Sequence, residues 1–172
     1  IFSPIKKVSD EEFISRRIVD LIQNDISYYA MHTNYDVLQM GRLAVDKLGF
    51  QNAEVLEVTR SEGDREWGIG AVVDLDRPMT LQECCEWVKE CFALEAMKVF
   101  DDPERRVQRI AVSPGSGKGM AEAALAKKAD VLITGDIDHH EGIDAQAQGL
   151  SIIDAGHYGV EYIFIEDIKM YI

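Results

Sequence analysis

Residues 109–157 read RIAVSPGSGKGMAEAALAKKADVLITGDIDHHEGIDAQAQGLSIIDAGH, and their rhythm decides the fold. Arg109–Ser113 carries a short apolar run bounded by turn formers, the pattern of a strand. Pro114–Gly119 is a glycine-rich loop, and Met120–Lys128 is an alanine-rich stretch suited to a helix. Val131–Thr134 is a second apolar run, of the kind seen in strands covered on both faces. A polar loop, Gly135–Glu141, and a short helix, Ile143–Gln148, lead to a third strand at Leu150–Asp154. Ala155-Gly156 then turns into a helix from about His157. Strands alternating with helices predict an α/β domain with a mixed, partly parallel sheet flanked by helices.

Working outward toward the N-terminus, Thr80 and Glu83 form a capping box. The helix it opens runs through Leu81, Cys85, Val88 and Phe92. Ala53–Arg60 and Trp67–Asp74 read as strands joined by a turn at Ser61–Glu66, an antiparallel hairpin. Asn34 or Asp36 can cap a helix that carries Leu38, Leu43, Val45 and Leu48 and ends at Gly49. Ile26–Met31 reads as a strand. Ser9 and Glu12 form another capping box, ahead of a helix with Phe13, Ile14, Ile18, Leu21 and Ile22 on one face. No internal repeat or low-complexity stretch is present.

Composition narrows the partners. The chain has 172 residues, 18 Lys plus Arg against 31 Asp plus Glu, and a net charge of −13. So acidic a surface repels phosphate backbones, which makes nucleic acid or an anionic membrane an unsuitable general partner. No apolar run reaches the roughly 18 residues of a spanning helix. Cys84, Cys85 and Cys91 lie close together in a helix-like stretch, without a C-x-x-C pair. Their odd number argues against a disulfide framework or a zinc knuckle, and buried thiols in a reducing, cytoplasmic setting are the expectation. The chain opens on Ile1-Phe2-Ser3-Pro4 and stops at Met170-Tyr171-Ile172 within an apolar pattern. It is therefore expected to be a segment, residues 1–172 forming one α/β domain that lacks its N-terminal part and C-terminal end.

The unusual polar residues collect after strand ends, where ligands bind in open α/β sheets. His32, Thr33, Asn34 and Asp36 follow Met31. Asp136, Asp138, His139 and His140 follow Thr134, and Asp154, His157 and Glu161 close the third strand. All four histidines fall in these clusters. The i, i+4 spacing of His157 and Glu161 puts an imidazole and a carboxylate on one helix face, where they can share a metal ion. An isolated His-x-x-x-Glu is more often a helix-start histidine with a solvated glutamate, and Asp36 alone is by default a cap. Three such clusters on one sheet edge weigh against that reading. The Ser113–Gly119 loop is not a P-loop, since Val112 stands where the first Gly belongs and Gly119 where Ser or Thr would bind magnesium.

His32-Thr33-Asn34-Tyr35-Asp36, read with Thr134-Gly135-Asp136 and Asp154-Ala155-Gly156-His157-Tyr158-Gly159-Val160-Glu161, resembles the Nif-three-like family. Its members are labelled GTP cyclohydrolase I type 2 homologues or dinuclear metal-centre hexameric proteins. The resemblance spans essentially the whole chain and implies the Nif-three-like α/β architecture. It implies Asp36, His157 and Glu161 as metal ligands, His140 as a substrate-facing pocket histidine and His32 as a pocket-lining one. It also implies two divalent ions (zinc, iron, manganese or nickel), a ring-shaped homohexamer, and a His-His pair upstream of a segment like Ile1-Phe2-Ser3-Pro4. The glycine loop departs from the family, with Pro114 and Lys118 where a Cys-Gly-Gly-Ser-Gly-like run is usual. The length between Asp36 and His157 leaves no room for a large inserted domain.

Two metals about 3.5–4 Å apart suit hydrolysis of a phosphoester, a nucleotide ring or an amide. The leading expectation is a metal-dependent hydrolase, GTP cyclohydrolase I type 2-like, acting on a small nucleotide-like substrate. In it Asp36, His157 and Glu161 hold metal, and His140 and His32 serve catalysis. The alternative is a non-catalytic metal-binding or metal-delivering hexameric scaffold. A third, weaker option is an anion sensor built on Ser116–Gly119.

Overall fold

A computed structural model describes residues 4–171. The expectations attached to Ile1-Phe2-Ser3 and to Ile172 lie outside the described residues. Two compact units are resolved, one ending at Thr33 and one running from Asn34.

In the first unit, helix α1 spans Phe13–Gln23. Its expected Ser9/Glu12 capping box does not form. The Ser9 hydroxyl accepts from the amide of Glu11 at 3.2 Å, a local turn that competes with helix capping, and Glu12 becomes the N-cap without a side-chain bond. Ser15 supplies the packing instead: its hydroxyl donates to the Lys7 carbonyl at 2.8 Å and accepts from the Ser9 amide at 2.6 Å. The strand expected at Ile26–Met31 is also absent, and that stretch is irregular. The six strands of the sheet all lie between Glu54 and Asp154, so this stretch is not one of them.

The second unit holds the sheet. A helical turn at Thr33–Tyr35 (α2), a π-helical turn at Asp36–Met40 and α3 (Gly41–Lys47) come first. Neither Asn34 nor Asp36 acts as a cap, because helical geometry begins upstream of both and Asp36 opens the π-turn. Next come β1 (Glu54–Glu62), β2 (Arg65–Thr80), α4 (Leu81–Phe92) and β3 (Lys98–Phe100). They are followed by β4 (Arg106–Ser116), α5 (Met120–Ala126), β5 (Val131–Gly135), α6 (His139–Ala147), β6 (Ser151–Asp154), α7 (His157–Glu161) and α8 (Phe164–Ile168). The six strands order β1-β2-β4-β5-β6-β3. β4, β5 and β6 run parallel, and the β1/β2, β2/β4 and β3/β6 pairs are antiparallel, so the sheet is mixed as expected.

Alternation along the parallel strands divides the core in two. Ile110, Val112, Val131, Ile133 and Ile153 face α3, α4 and α7. Ala111, Leu132 and Ile152 face the opposite way, toward α5 and α6, with Met120, Ala124 and Ala145. The Thr80/Glu83 capping box is present: the Glu83 amide donates to Thr80 Oγ1 at 3.1 Å, and the Thr80 amide donates to Glu83 Oε2 at 2.7 Å. The hairpin extends beyond its expected ends, since Ser61 pairs with Glu66 and Glu62 with Arg65 across a turn reduced to Gly63-Asp64. Backbone ladder bonds there override the polar side chains. Cys84 and Cys85 are buried within α4, and burial pushes the Cys84 thiol up to about 12, which keeps it unreactive.

Candidate metal centre

The candidate site is built where β5 and β6, paired in parallel from Val131↔Ser151 to Thr134↔Asp154, both end. β5 ends on Gly135, and a Cβ there would lie 2.5 Å from the His157 amide nitrogen. That approach lets the turn before α7 pass directly over the strand end. Asp136 follows with φ of 57°, a left-handed conformation that aspartate adopts more readily than most residues with a Cβ, and the chain then leads into α6. From the other strand, Ala155-Gly156 delivers His157 as the first residue of α7.

Three side chains then form a file. His157 Nδ1 meets Asp136 Oδ2 at 2.6 Å, and His157 Nε2 meets Glu161 Oε2 at 3.2 Å. A carboxylate is acceptor-only, so both ring nitrogens face acceptors: Nδ1 donates to Asp136, and Nε2, beside Glu161, is the nitrogen whose proton a metal ion would replace. The hydrogen bond to Asp136 raises the His157 pKa above its usual value against the effect of burial, and the charges of Glu161, Asp136 and Asp36 add to it. Asp36 therefore lies within electrostatic reach of the ring. Gly115, with φ of +85°, forms the wall beside the pair: a Cβ there would stand 3.5 Å from Glu161 Oε1 and 3.7 Å from His157 Nε2.

The structure thus brings together Asp36, His157 and Glu161 to the extent that the last two touch and the first acts on the ring by its charge. His140 sits exposed in the first turn of α6, with its ring edge-on to His139 at 5.7 Å between centroids. In the first unit, His32 Nδ1 pairs with Thr33 Oγ1 at 2.9 Å. Sequence reasoning grouped Asp136 with the polar loop but missed its role against His157, and it missed Gly115 as the wall of the site. A carboxylate just after one strand and a histidine just after its parallel neighbour was the available signal. The anion-sensor option loses two of its backbone donors, because the Gly119 amide donates to Glu141 Oε1 at 2.8 Å and the Gly117 amide to the Gly135 carbonyl at 2.7 Å.

The donor chemistry fits a divalent ion in part. Two donors about 2.0–2.1 Å from one zinc ion at the tetrahedral angle stand about 3.3 Å apart. The 3.2 Å between His157 Nε2 and Glu161 Oε2 matches that corner. A carboxylate behind the distal ring nitrogen is the usual support of a metal-bound histidine, and Asp136 is placed for it. Among the described residues no group of three or more His, Cys, Asp or Glu is assembled into a complete cage.

A mixed sheet whose parallel strand ends carry a carboxylate–histidine–carboxylate file defines a class of α/β proteins with a polar site at the strand termini. The chain belongs to the Duf34/NIF3 (NGG1p interacting factor 3) family, whose model matches residues 1–172. It is 34% identical over 164 residues to a GTP cyclohydrolase 1 type 2 homolog of Clostridium acetobutylicum, covering 94% of this chain and 61% of that protein. It is 36% identical over 174 residues to the homolog of the same name from Streptococcus pneumoniae, covering 98% of this chain and 63% of the relative. The chain thus spans somewhat over three fifths of the length of these relatives. A crystal structure of a Bacillus cereus protein related to NIF3 superposes with a TM-score of 0.80 at 22% identity, over 99% of this chain and 75% of the other. That likeness shows the Nif-three-like fold. Among the described residues no helix is long and apolar enough to cross a membrane.

Proposed function

We propose that Asp36, His157 and Glu161 contribute to a divalent-metal centre, and that the whole protein is a metal-dependent hydrolase acting on a small, nucleotide-like substrate. The observation that carries this reading is the orientation of His157. Its Nδ1 is engaged by Asp136 at 2.6 Å, and its Nε2 stands 3.2 Å from Glu161, at the spacing of two donors on one ion. A divalent ion bound there supplies Lewis acidity toward an ester, ring or amide bond. Asp136 holds the proton on Nδ1, so that Nε2 is the atom that donates. Glu161 supplies a carboxylate oxygen, and Asp36 adds negative charge within electrostatic reach of the ring. His140 and His32 are assigned to orienting substrate or moving its proton. A pair of ions, a homohexameric assembly and a cytoplasmic setting belong to the same proposal and are supported by the family resemblance.

The test is titration with zinc alone against a competing chelator, together with turnover of a panel of phosphoesters, nucleotides and amides. Glu161→Gln should weaken zinc by more than the 10–100-fold that loss of a supporting partner costs. Turnover should vanish on chelation. Unchanged zinc affinity in Glu161→Gln overturns the site. Tight zinc binding with no turnover would overturn the hydrolase and favour the non-catalytic metal-binding or metal-delivering scaffold.

A further inference from the structure

Asp154, the last residue of β6, is a charged residue in the buried interior, at 3% exposure. A buried carboxylate is costly unless its oxygens are well provided with donors. Asp154 has three. The Gly156 amide donates to Oδ1 at 3.0 Å, and the Ile137 amide donates to Oδ2 at 3.3 Å. Lys98 Nζ, on a side chain that is 73% exposed, reaches the same Oδ2 at 3.3 Å.

The two amides matter through their neighbours. Ile137 follows Asp136, and Gly156 precedes His157. One buried carboxylate therefore ties the segment that leaves β5 to the turn that leaves β6, one residue away from each member of the Asp136–His157 pair. The Ile137 bond also holds the chain just after Asp136, whose φ of 57° needs support from its surroundings.

We propose that Asp154 is a positioning residue: it sets the separation of the two segments, and through it the contact of Asp136 with the His157 ring and the direction of Nε2. The consequence for metal rests on the reading proposed above, whereas the consequence for the ring does not. A simpler role, burying a counter-charge for Lys98, makes a different prediction, because the Lys98 ammonium bonds to the carboxylate itself whereas the Ile137 and Gly156 amides carry the two segments.

The experiment uses 15N NMR of the His157 ring in the metal-free protein, with zinc titration in parallel. Asp154→Asn is nearly isosteric but offers one acceptor oxygen and one NH2, so one of the two amides faces a donor. The ring Nδ1 proton is expected to lose its hydrogen-bonded shift and to exchange faster with solvent, and zinc affinity to fall about 10–100-fold. Lys98→Met is expected to change neither. In the unsubstituted protein the Ile137 and Gly156 amides are expected to resist hydrogen exchange, a measurement that does not depend on whether the variant folds. Unchanged ring signals in folded Asp154→Asn, the same ring change in Lys98→Met, or rapid exchange of both amides would each overturn the proposal. If zinc fails to bind the unsubstituted protein while the ring still responds to Asp154→Asn, the metal reading falls and the positioning role stands.

Discussion

Replacing Gly135 by alanine adds one methyl group where two strand ends and a helix start converge. The new Cβ would lie 2.5 Å from the His157 amide nitrogen, 2.6 Å from the Gly156 carbonyl carbon and 2.7 Å from the His157 Cα. Ordinary non-bonded contacts sit at about 3.5–4.0 Å, so the turn must retreat by about 1 Å. All three obstructing atoms are backbone, and no side chain can swing aside to relieve them. The same displacement would carry His157 Nδ1 from its 2.6 Å contact with Asp136 to about 3.6 Å, beyond hydrogen-bond range. Overpacking of this kind costs about 1–3 kcal/mol. For a domain of this size, each kcal/mol lowers the melting temperature by about 2–4 °C, so a drop of about 2–12 °C is expected. Thermal unfolding followed by near-ultraviolet circular dichroism measures it, and the 15N spectrum of the His157 ring reports the lost contact. A Gly135→Ala protein that melts within about 1 °C of the parent, with the ring signal in place, would refute the argument that close approach at this glycine builds the site.

Two further expectations concern stability alone. Thr80→Ala removes the hydroxyl that caps α4 and should cost about 0.5–2 kcal/mol, read as a lower urea midpoint at unchanged slope. Asp101 gives a pH dependence. Burial alone would push its carboxyl up, but the Asp102 amide, the Ser151 hydroxyl, Arg105 and Gln146 outweigh that and hold it below the usual carboxylate range. Its contribution is therefore fully present above the unfolded value of about 3.9 and is lost as pH falls through the folded value. The stability gap between the parent and Asp101→Asn should be near its full size at pH 7 and should shrink in acid below about pH 4. A gap that stays constant down to pH 2 would show that the carboxylate charge is not what those donors hold.

Two stretches with the same capping pattern show where local reading succeeds and where it stops. Thr80-x-x-Glu83 and Ser9-x-x-Glu12 have identical spacing, yet only the first forms the box. After Thr80, the residues Leu81, Cys84, Cys85, Val88 and Phe92 are all buried against the sheet, so packing fixes the helix start where the cap needs it. After Ser9, α1 buries only Ser15 among its own residues, and a two-residue turn at the serine wins. The strand expected at Ile26–Met31 does not form, since alternation describes a face but does not decide whether a segment joins the sheet. β3, with three residues, is too short to carry a periodic signal, and only its antiparallel pairing with β6 makes it a strand.

The candidate site divides along the same line. His157 and Glu161 were legible together because four residues in a helix bring two side chains to one face whatever surrounds them. Asp36 could be read from its motif, but its electrostatic action on His157 depends on where the sheet carries the π-turn.

By itself the order of apolar runs, turns and helix formers determined an α/β chain with parallel strands near its C-terminal end, because those signals act over a few residues. Tertiary structure alone decided that Asp136 and His157, 21 residues apart, share a hydrogen bond, and that Asp154 ties their two segments. Both follow from the parallel pairing of β5 with β6, which aligns two strand ends side by side and leaves their loops to meet. Contacts of that range depend on strand order and register, which no window of neighbouring residues encodes.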